Sequence, residues 1–253
     1  MPLHTVEPKR LYRQIAEQLR SLITAGEFLA GTRLPAEREL AKQLGVSRPS
    51  VREALIAMEV EGWVEVRTGS GIYVLDRTMP AGAGSETARP QIAADEWGPL
   101  ELIRARRVVE GETAAMAASQ ANNKNIAAMV QALAMMKKDA DRGVMPLDGD
   151  RAFHTAIVEA CDNVVLIETV QNFWDSRRGP LFERLGGYFE TVHSWRAAIV
   201  EHEAILAAIR SHDTAGARLA MHQHMDNSHT RFSVSWTEAQ ELTEPGKQAV
   251  ARG

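Results

Sequence analysis

Leu34 to Leu75 reads LPAERELAKQLGVSRPSVREALIAMEVEGWVEVRTGSGIYVL, a pattern of two short helices, a tight turn and a hairpin. Pro35 suits the opening of the first helix, and Glu37 and Glu39 fall in its first turn, where carboxylates complement the helix dipole. Leu40, Ala41 and Leu44 give it an apolar face. Gly45 ends it, and Val46 can plug the core beneath the turn. Ser47 is a good N-cap for the second helix, and Pro49 is tolerated in its first turn. Val51, Leu55 and Met58 share one face of that helix, and Arg48 and Arg52, four residues apart, share another. Val64 and Val66 alternate with Glu65 and Arg67, the signature of a half-buried strand. Thr68-Gly69-Ser70-Gly71 supplies the turn, and Ile72 to Leu75 the return strand. The combination predicts a winged helix-turn-helix, in which the start of the second helix enters a DNA major groove.

The segment resembles the DNA-binding domain of the GntR family of bacterial transcription regulators. The matching pieces are Leu34-Pro35-Ala36-Glu37-Arg38-Glu39-Leu40-Ala41, Val46-Ser47-Arg48, Val51-Arg52-Glu53-Ala54-Leu55, Glu61-Gly62-Trp63-Val64 and Gly69-Ser70-Gly71. The resemblance implies that Arg38, Ser47, Arg48, Ser50 and Arg52 sit at the DNA, with Thr68 and Gly69 at the wing tip in the minor groove. Arg48 and Arg52 suit guanine O6 and N7, whereas Ser47 and Ser50 suit phosphates.

The totals fit one large or two small domains in 253 residues, with 45% apolar and 25% charged content. The only cysteine, Cys161, cannot close an internal disulfide, which fits a reducing cytoplasm. No run spans a membrane and no signal-peptide pattern opens the chain. The net charge of −4 is unusual for a DNA reader. Residues 1–75 carry 10 Lys+Arg and 9 Asp+Glu, net +1, leaving 19 and 24, net −5, for residues 76–253. Distribution therefore matters more than the sum, and dimerisation is expected to supplement a modest, salt-sensitive half-site affinity.

Outward from the motif, Leu11, Ile15, Leu19, Leu22 and Ile23 recur at helical spacing over Leu11–Thr24. Asp76 to Ala94 is poor in large apolar residues and reads as a linker. Beyond Gly98 only helices are predicted: Pro99–Gln120, Asn123–Arg142, Asp148–Cys161, Asn163–Leu185 with a kink at Gly179-Pro180, then Tyr188 or Ser194 to Ser211, and Asp213–Thr237. Breaks are expected at Gly143–Leu147 and Gly186-Gly187. Short connections make the second part an antiparallel helical bundle. The fold class is mainly α, with a winged helix-turn-helix domain at 1–76, a linker at 77–95, an all-helical effector-binding and dimerisation domain at 96–237 and a loose tail at 238–253.

Seven of the eight histidines lie in the second half. Asp150 and His154 share a helix face, and His202 and His224 lie on two later helices. Such a set suits Zn, Ni, Mn or Fe, and bundle interiors commonly hold such sites. Spacing alone favours the plainer reading, because an Asp/His pair four residues apart is often a surface hydrogen bond and lone histidines are usually not ligands.

Here a second resemblance enters. Glu101-Leu102-Ile103-Arg104-Ala105-Arg106-Arg107-Val108-Val109-Glu110, Asp150-Arg151-Ala152-Phe153-His154, His202-Glu203-Ala204-Ile205 and the Ala217-to-Met225 segment are similar to the FCD effector domain of the FadR-type branch. The resemblance implies a divalent metal, zinc first among the candidates, on Asp150, His154, His202 and His224. It implies a carboxylate effector held by that metal and Arg106, whose guanidinium can grip it in a bidentate fork. His222 should point elsewhere. Arg177 and Trp195 are further effector-pocket candidates, although either fits core or interface. Trp97-Gly98-Pro99-Leu100-Glu101-Leu102, Phe173-Trp174-Asp175-Ser176-Arg177 and Glu59-to-Ile72 look like the subgroup that regulates hexuronate use. The expected protein is a cytoplasmic, homodimeric repressor released from a DNA operator by a sugar acid, with another small carboxylate such as a hydroxy acid as the alternative effector. A metal-dependent enzyme acting on sugar acids is the competing class. No second carboxylate or lysine stands at a spacing that suggests a general base, and the helix-turn-helix would be left without a use.

Overall fold

A computed structural model describes residues 10–76, 92, 93 and 96–234. The expected tail and nearly all of the expected linker lie outside the described residues.

Helix α1 (Leu11–Thr24) buries Tyr12, Ile15, Ala16 and Leu19. Helix α2 (Glu37–Leu44) ends at Gly45, whose left-handed conformation (φ 67°) is cheap only for glycine. Helix α3 (Arg48–Val60) starts at Ser47, whose Oγ accepts the Ser50 N–H at 3.2 Å. Strands β1 (Val64–Arg67) and β2 (Gly71–Val74) pair antiparallel with Val64 opposite Val74. Leu34 N–H donates to Ile72 O at 2.8 Å, so the segment entering α2 lies along the hairpin.

The helical part comprises α4 (Pro99–Gln120), α5 (Asn123–Asp141), α6 (Leu147–Glu159), α7 (Val164–Ser176), α8 (Pro180–Phe189), α9 (Val192–Arg210) and α10 (Thr214–Ser233). Asn122, Asn163, Thr191 and Asp213 cap α5, α7, α9 and α10 with side-chain oxygens. Helix α4 runs against α10, and α5 against α6 and α9.

Two expectations need correction. The single helix predicted over Asn163–Leu185 is two helices, α7 and α8, because Gly179 is non-helical and serves as the N-cap of α8 with Pro180 in the first turn. Gly186-Gly187 is not a break but lies within α8. Each glycine costs a helix about 1 kcal/mol relative to alanine. Burial of Leu181, Phe182, Leu185 and Phe189 offsets this, at roughly 1.5–3 kcal/mol per large apolar side chain.

One continuous cluster takes in buried apolar residues of both parts, and Val158, Val170 and Trp174 form a second, smaller one. Polar contacts reinforce the join. Tyr12 Oη donates to Glu96 O at 3.0 Å, and Glu53 Oε1 accepts the Leu100 N–H at 2.7 Å, capping α4 from across the interface. Glu59 accepts from Arg184 Nε at 2.9 Å and from Tyr188 Oη at 2.8 Å.

Candidate metal centre and DNA-reading face

Helix α6 presents Asp150 and His154 one turn apart, α9 presents His202, and α10 presents His224. Each of these four buried residues offers a ligand atom, and the four atoms lie within 4.8 Å of one another. Asp150 Oδ1 is 3.0 Å from His202 Nε2 and 3.6 Å from His154 Nε2. The two Nε2 atoms are 3.2 Å apart. Ligand atoms about 2.1 Å from one ion, at tetrahedral or octahedral angles, stand about 3.0–3.4 Å from each other. The cluster could therefore hold a metal ion with little adjustment.

The other ring nitrogens strengthen this fit. His202 Nδ1 faces Ala198 O at 2.6 Å, His224 Nδ1 faces Glu201 Oε2 at 2.7 Å, and His154 Nδ1 faces the Glu110 carboxylate. An acceptor on Nδ1 fixes the tautomer and leaves the Nε2 lone pair for a ligand bond. Glu110 is held in turn by Arg106, whose Nε donates to Oε1 at 2.6 Å. Glu201 accepts from Asn227 Nδ2 at 2.8 Å and Arg231 Nη1 at 3.1 Å.

The charges follow from these contacts. Burial pushes the Glu110 carboxyl up, but Arg106 and His154 outweigh it and hold it at about 2. Glu201 is likewise held at about 2, its burial outweighed by His224, Arg231 and Asn227. Burial, with His202 beside it, drives His224 down to about 3 and keeps its imidazole neutral, as a ligand must be.

A small cavity of ≈ 20 Å³ adjoins the cluster, and its walls include Arg106, Arg177, Arg231, Trp195, Ser194 and Ser228. Arg177 Nη1 donates to Asp150 Oδ2 at 2.9 Å, and its Nη2 lies 3.5 Å from Glu190. The guanidiniums of Arg106 and Arg177 stand 4.4 and 4.5 Å from the Trp174 ring centroid. Trp195 is buried, and its side chain hydrogen-bonds the Glu190 carboxyl. Arg106, Arg177 and Trp195 thus come together beside the four candidate ligands. His222 instead packs on Gly111, where an added Cβ would lie 2.3 Å from Nε2. Sequence reasoning missed Glu110, Glu201, Glu190, Arg231, Ser194 and Ser228. A glutamate four residues after an arginine, or beside a histidine, is indistinguishable by spacing from a solvated surface acid.

On the DNA-reading part, Arg38, Ser47, Arg48, Thr68 and Gly69 are exposed and Ser50 is half-buried. Arg38, Arg48, Thr68 and Gly69 line one cleft between the start of α2 and the wing. Ser47 and Ser50 hydroxyls bond each other at 2.8 Å. Arg52 departs from the expected base contact. It is fully buried, with Nε and Nη2 on Glu37 at 3.0 and 2.8 Å and Nη1 on Phe232 O, at the end of α10, at 2.9 Å. Its guanidinium lies 5.1 Å from the Phe189 ring centroid. In this arrangement a base edge cannot reach it.

Comparison with known proteins agrees with both parts. The model of bacterial regulatory proteins of the gntR family matches residues 11–74, and the FCD domain model matches residues 101–227. The Uxu operon transcriptional regulator of Escherichia coli K12 is 37% identical over 227 residues, covering 88% of this chain and 87% of its own. The Exu regulon transcriptional regulator of the same strain is 36% identical over 238 residues, with coverages of 89% and 86%. A Uxu operon regulator of Haemophilus influenzae is 35% identical over 222 residues, with coverages of 86% and 80%. Among the described residues no helix is long and apolar enough to cross a membrane.

Proposed function

Since the chain belongs to the gntR family of bacterial regulatory proteins, with an FCD domain behind its DNA-reading part, we propose that it is a metal-assisted repressor released from its operator by a hexuronate-like carboxylate. It is a transcription regulator and not an enzyme. In this reading residues 1–76 read DNA, residues 77–95 link, residues 96–237 bind the effector and pair two copies, and residues 238–253 form a tail. Asp150, His154, His202 and His224 hold a divalent ion, zinc before nickel, manganese or iron. The bound ion supplies a Lewis-acidic seat for a carboxylate. Arg38, Ser47, Arg48, Ser50, Thr68 and Gly69 face the operator.

The observation that carries the effector assignment is the convergence of four ligand atoms within 4.8 Å beside three arginines. Arg106, Arg177 and Arg231 with a divalent ion bring five positive charges against the four carboxylates Asp150, Glu110, Glu190 and Glu201. Burial raises the Glu190 pKa and so works against its negative charge, which leaves the site favourable to an added carboxylate. The names of the relatives, which regulate the uxu and exu genes, support hexuronate chemistry.

The same helices supply a route to the DNA-reading part. Helix α10 carries His224 and its end holds Arg52. Helix α4 carries Arg106 and Glu110, and its first turn receives Glu53. Helix α8 holds Glu59 through Arg184 and Tyr188 and ends beside Glu190. A ligand that shifts any of these helices biases the placement of α3, and with it the spacing of two reading helices in a dimer.

Thermal-shift titration of metal-loaded protein with D-glucuronate and D-galacturonate, with and without chelator, tests the reading. Stabilisation abolished by chelator or by Arg106→Ala, accompanied by loss of operator binding, is the expected outcome. Unchanged operator affinity in saturating ligand would overturn the release mechanism.

A further inference from the structure

A second and much larger cavity, ≈ 620 Å³, lies beyond Arg177 and Glu190, which also line the small cavity at the metal cluster. The small cavity, at ≈ 20 Å³, accommodates a group the size of one water. A six-carbon sugar acid does not fit there. The larger cavity falls within the range of about 300–1,000 Å³ usual for small-molecule sites.

Its walls carry suitable chemistry. Trp174 and Phe182 give its lining apolar surface, and Arg151, Arg178 and Glu183 give it charged groups. The Gly186-Gly187 pair of α8 also lines it, with Met145, Leu147 and Asp148. Glycine is a poor helix former. At Gly187 no neighbour demands it, because an added Cβ would meet nothing within 4 Å. The absent side chain leaves the cavity open.

We infer that this outer cavity is the subsite for the hydroxyl-bearing tail of a carboxylate whose acid end lies at the metal cluster. It would thereby set the chain length of the acids that the regulator senses. The inference rests on the effector reading above. Arg177 stands at the boundary, stacked between Trp174 and Phe182 at 4.5 and 4.9 Å from their centroids, where it can meet the ligand between its acid end and its tail.

The test uses the full-length, metal-loaded protein and the variant Gly187→Leu, which fills the cavity from a position without steric conflict. Affinity for D-glucuronate, D-galacturonate and the two-carbon acid glycolate is measured by calorimetry, with metal content and operator binding as folding controls. The variant should bind the hexuronates at least tenfold more weakly and glycolate within twofold of wild type. Hexuronate affinity within threefold of wild type would overturn the subsite. Should Gly187→Leu fail the folding controls, the lining pair Arg178→Ala with Glu183→Gln decides instead: a several-fold loss for hexuronates alone is expected, and no change overturns the inference. A wild-type protein that binds glycolate but no hexuronate would also overturn the subsite while leaving the metal-carboxylate reading intact. A wild type that binds no carboxylate would sink that reading itself.

Discussion

Replacing Glu53 by glutamine should remove a pH-dependent penalty from the join between α3 and α4. Glu53 is 7% exposed and accepts the Leu100 N–H at 2.7 Å. Burial raises its pKa from 4.5 to about 7, more than the Leu100 N–H and Arg104 lower it. Below pH 4.5 the carboxyl is protonated in both folded and unfolded chains, and no penalty exists. As pH rises, the unfolded chain ionises first, so stability falls until the folded carboxyl also ionises near 7. At 1.36 kcal/mol per pKa unit the loss amounts to about 3 kcal/mol. Glu53→Gln retains an acceptor for Leu100 and has nothing to ionise. Urea unfolding of both proteins with chelator present, between pH 4.5 and 8, isolates the effect because metal-linked protonation is removed from both. The variant should gain about 3 kcal/mol on wild type across that window, nearly all of it before pH 7. A difference that stays flat with pH would refute the argument and indicate that water reaches Glu53.

Other perturbations have equally definite outcomes. Glu110→Gln and Glu201→Gln should each weaken metal binding by about 10–100-fold in chelator competition, because the carboxylates orient His154 and His224; unchanged affinity would mean that they do not. Glu37→Ala removes the carboxylate paired with the buried Arg52 guanidinium and should cost about 3–5 kcal/mol in unfolding free energy, whereas a loss under about 1 kcal/mol would show that water or the acceptors that remain, Phe232 O among them, suffice for Arg52. Arg38→Ala should weaken operator and random DNA alike and lower the slope of log K against log salt by about 0.9; a loss confined to the operator would mark it as a base reader instead.

The winged helix-turn-helix was legible because its signals are local: the Ser47 cap, the left-handed Gly45, and the alternation of Val64 and Val66 with charged neighbours. The metal cluster was half legible. Asp150 and His154 meet within one helix, but His202 and His224 join them only through packing; spacing offered those two as candidates, and the family resemblance strengthened them. Arg52 was misjudged for the same reason. Sequence spacing sets it beside Arg48, yet its fate depends on Phe232, whose carbonyl arrives from 180 residues away. The Gly186-Gly187 pair read as a break because propensity favours one, and the buried face of α8 overrides it. Glu110 and Glu201 carried no recognisable signal, since what distinguishes them from surface acids is the histidine nitrogen each faces.

Helix α3 divides its labour by face. Arg52, Glu53 and Glu59 are each held by the helical part, while Arg48 and Ser50 are not. Operator preference can therefore drift, or be redesigned, through positions such as the exposed Arg48 and the half-buried Ser50 without touching the contacts between the two parts. A hybrid regulator made by exchanging the whole DNA-reading part would break those contacts unless Arg52, Glu53 and Glu59 travelled with it. One made by exchanging only the outward positions should keep its sensing and acquire a new address.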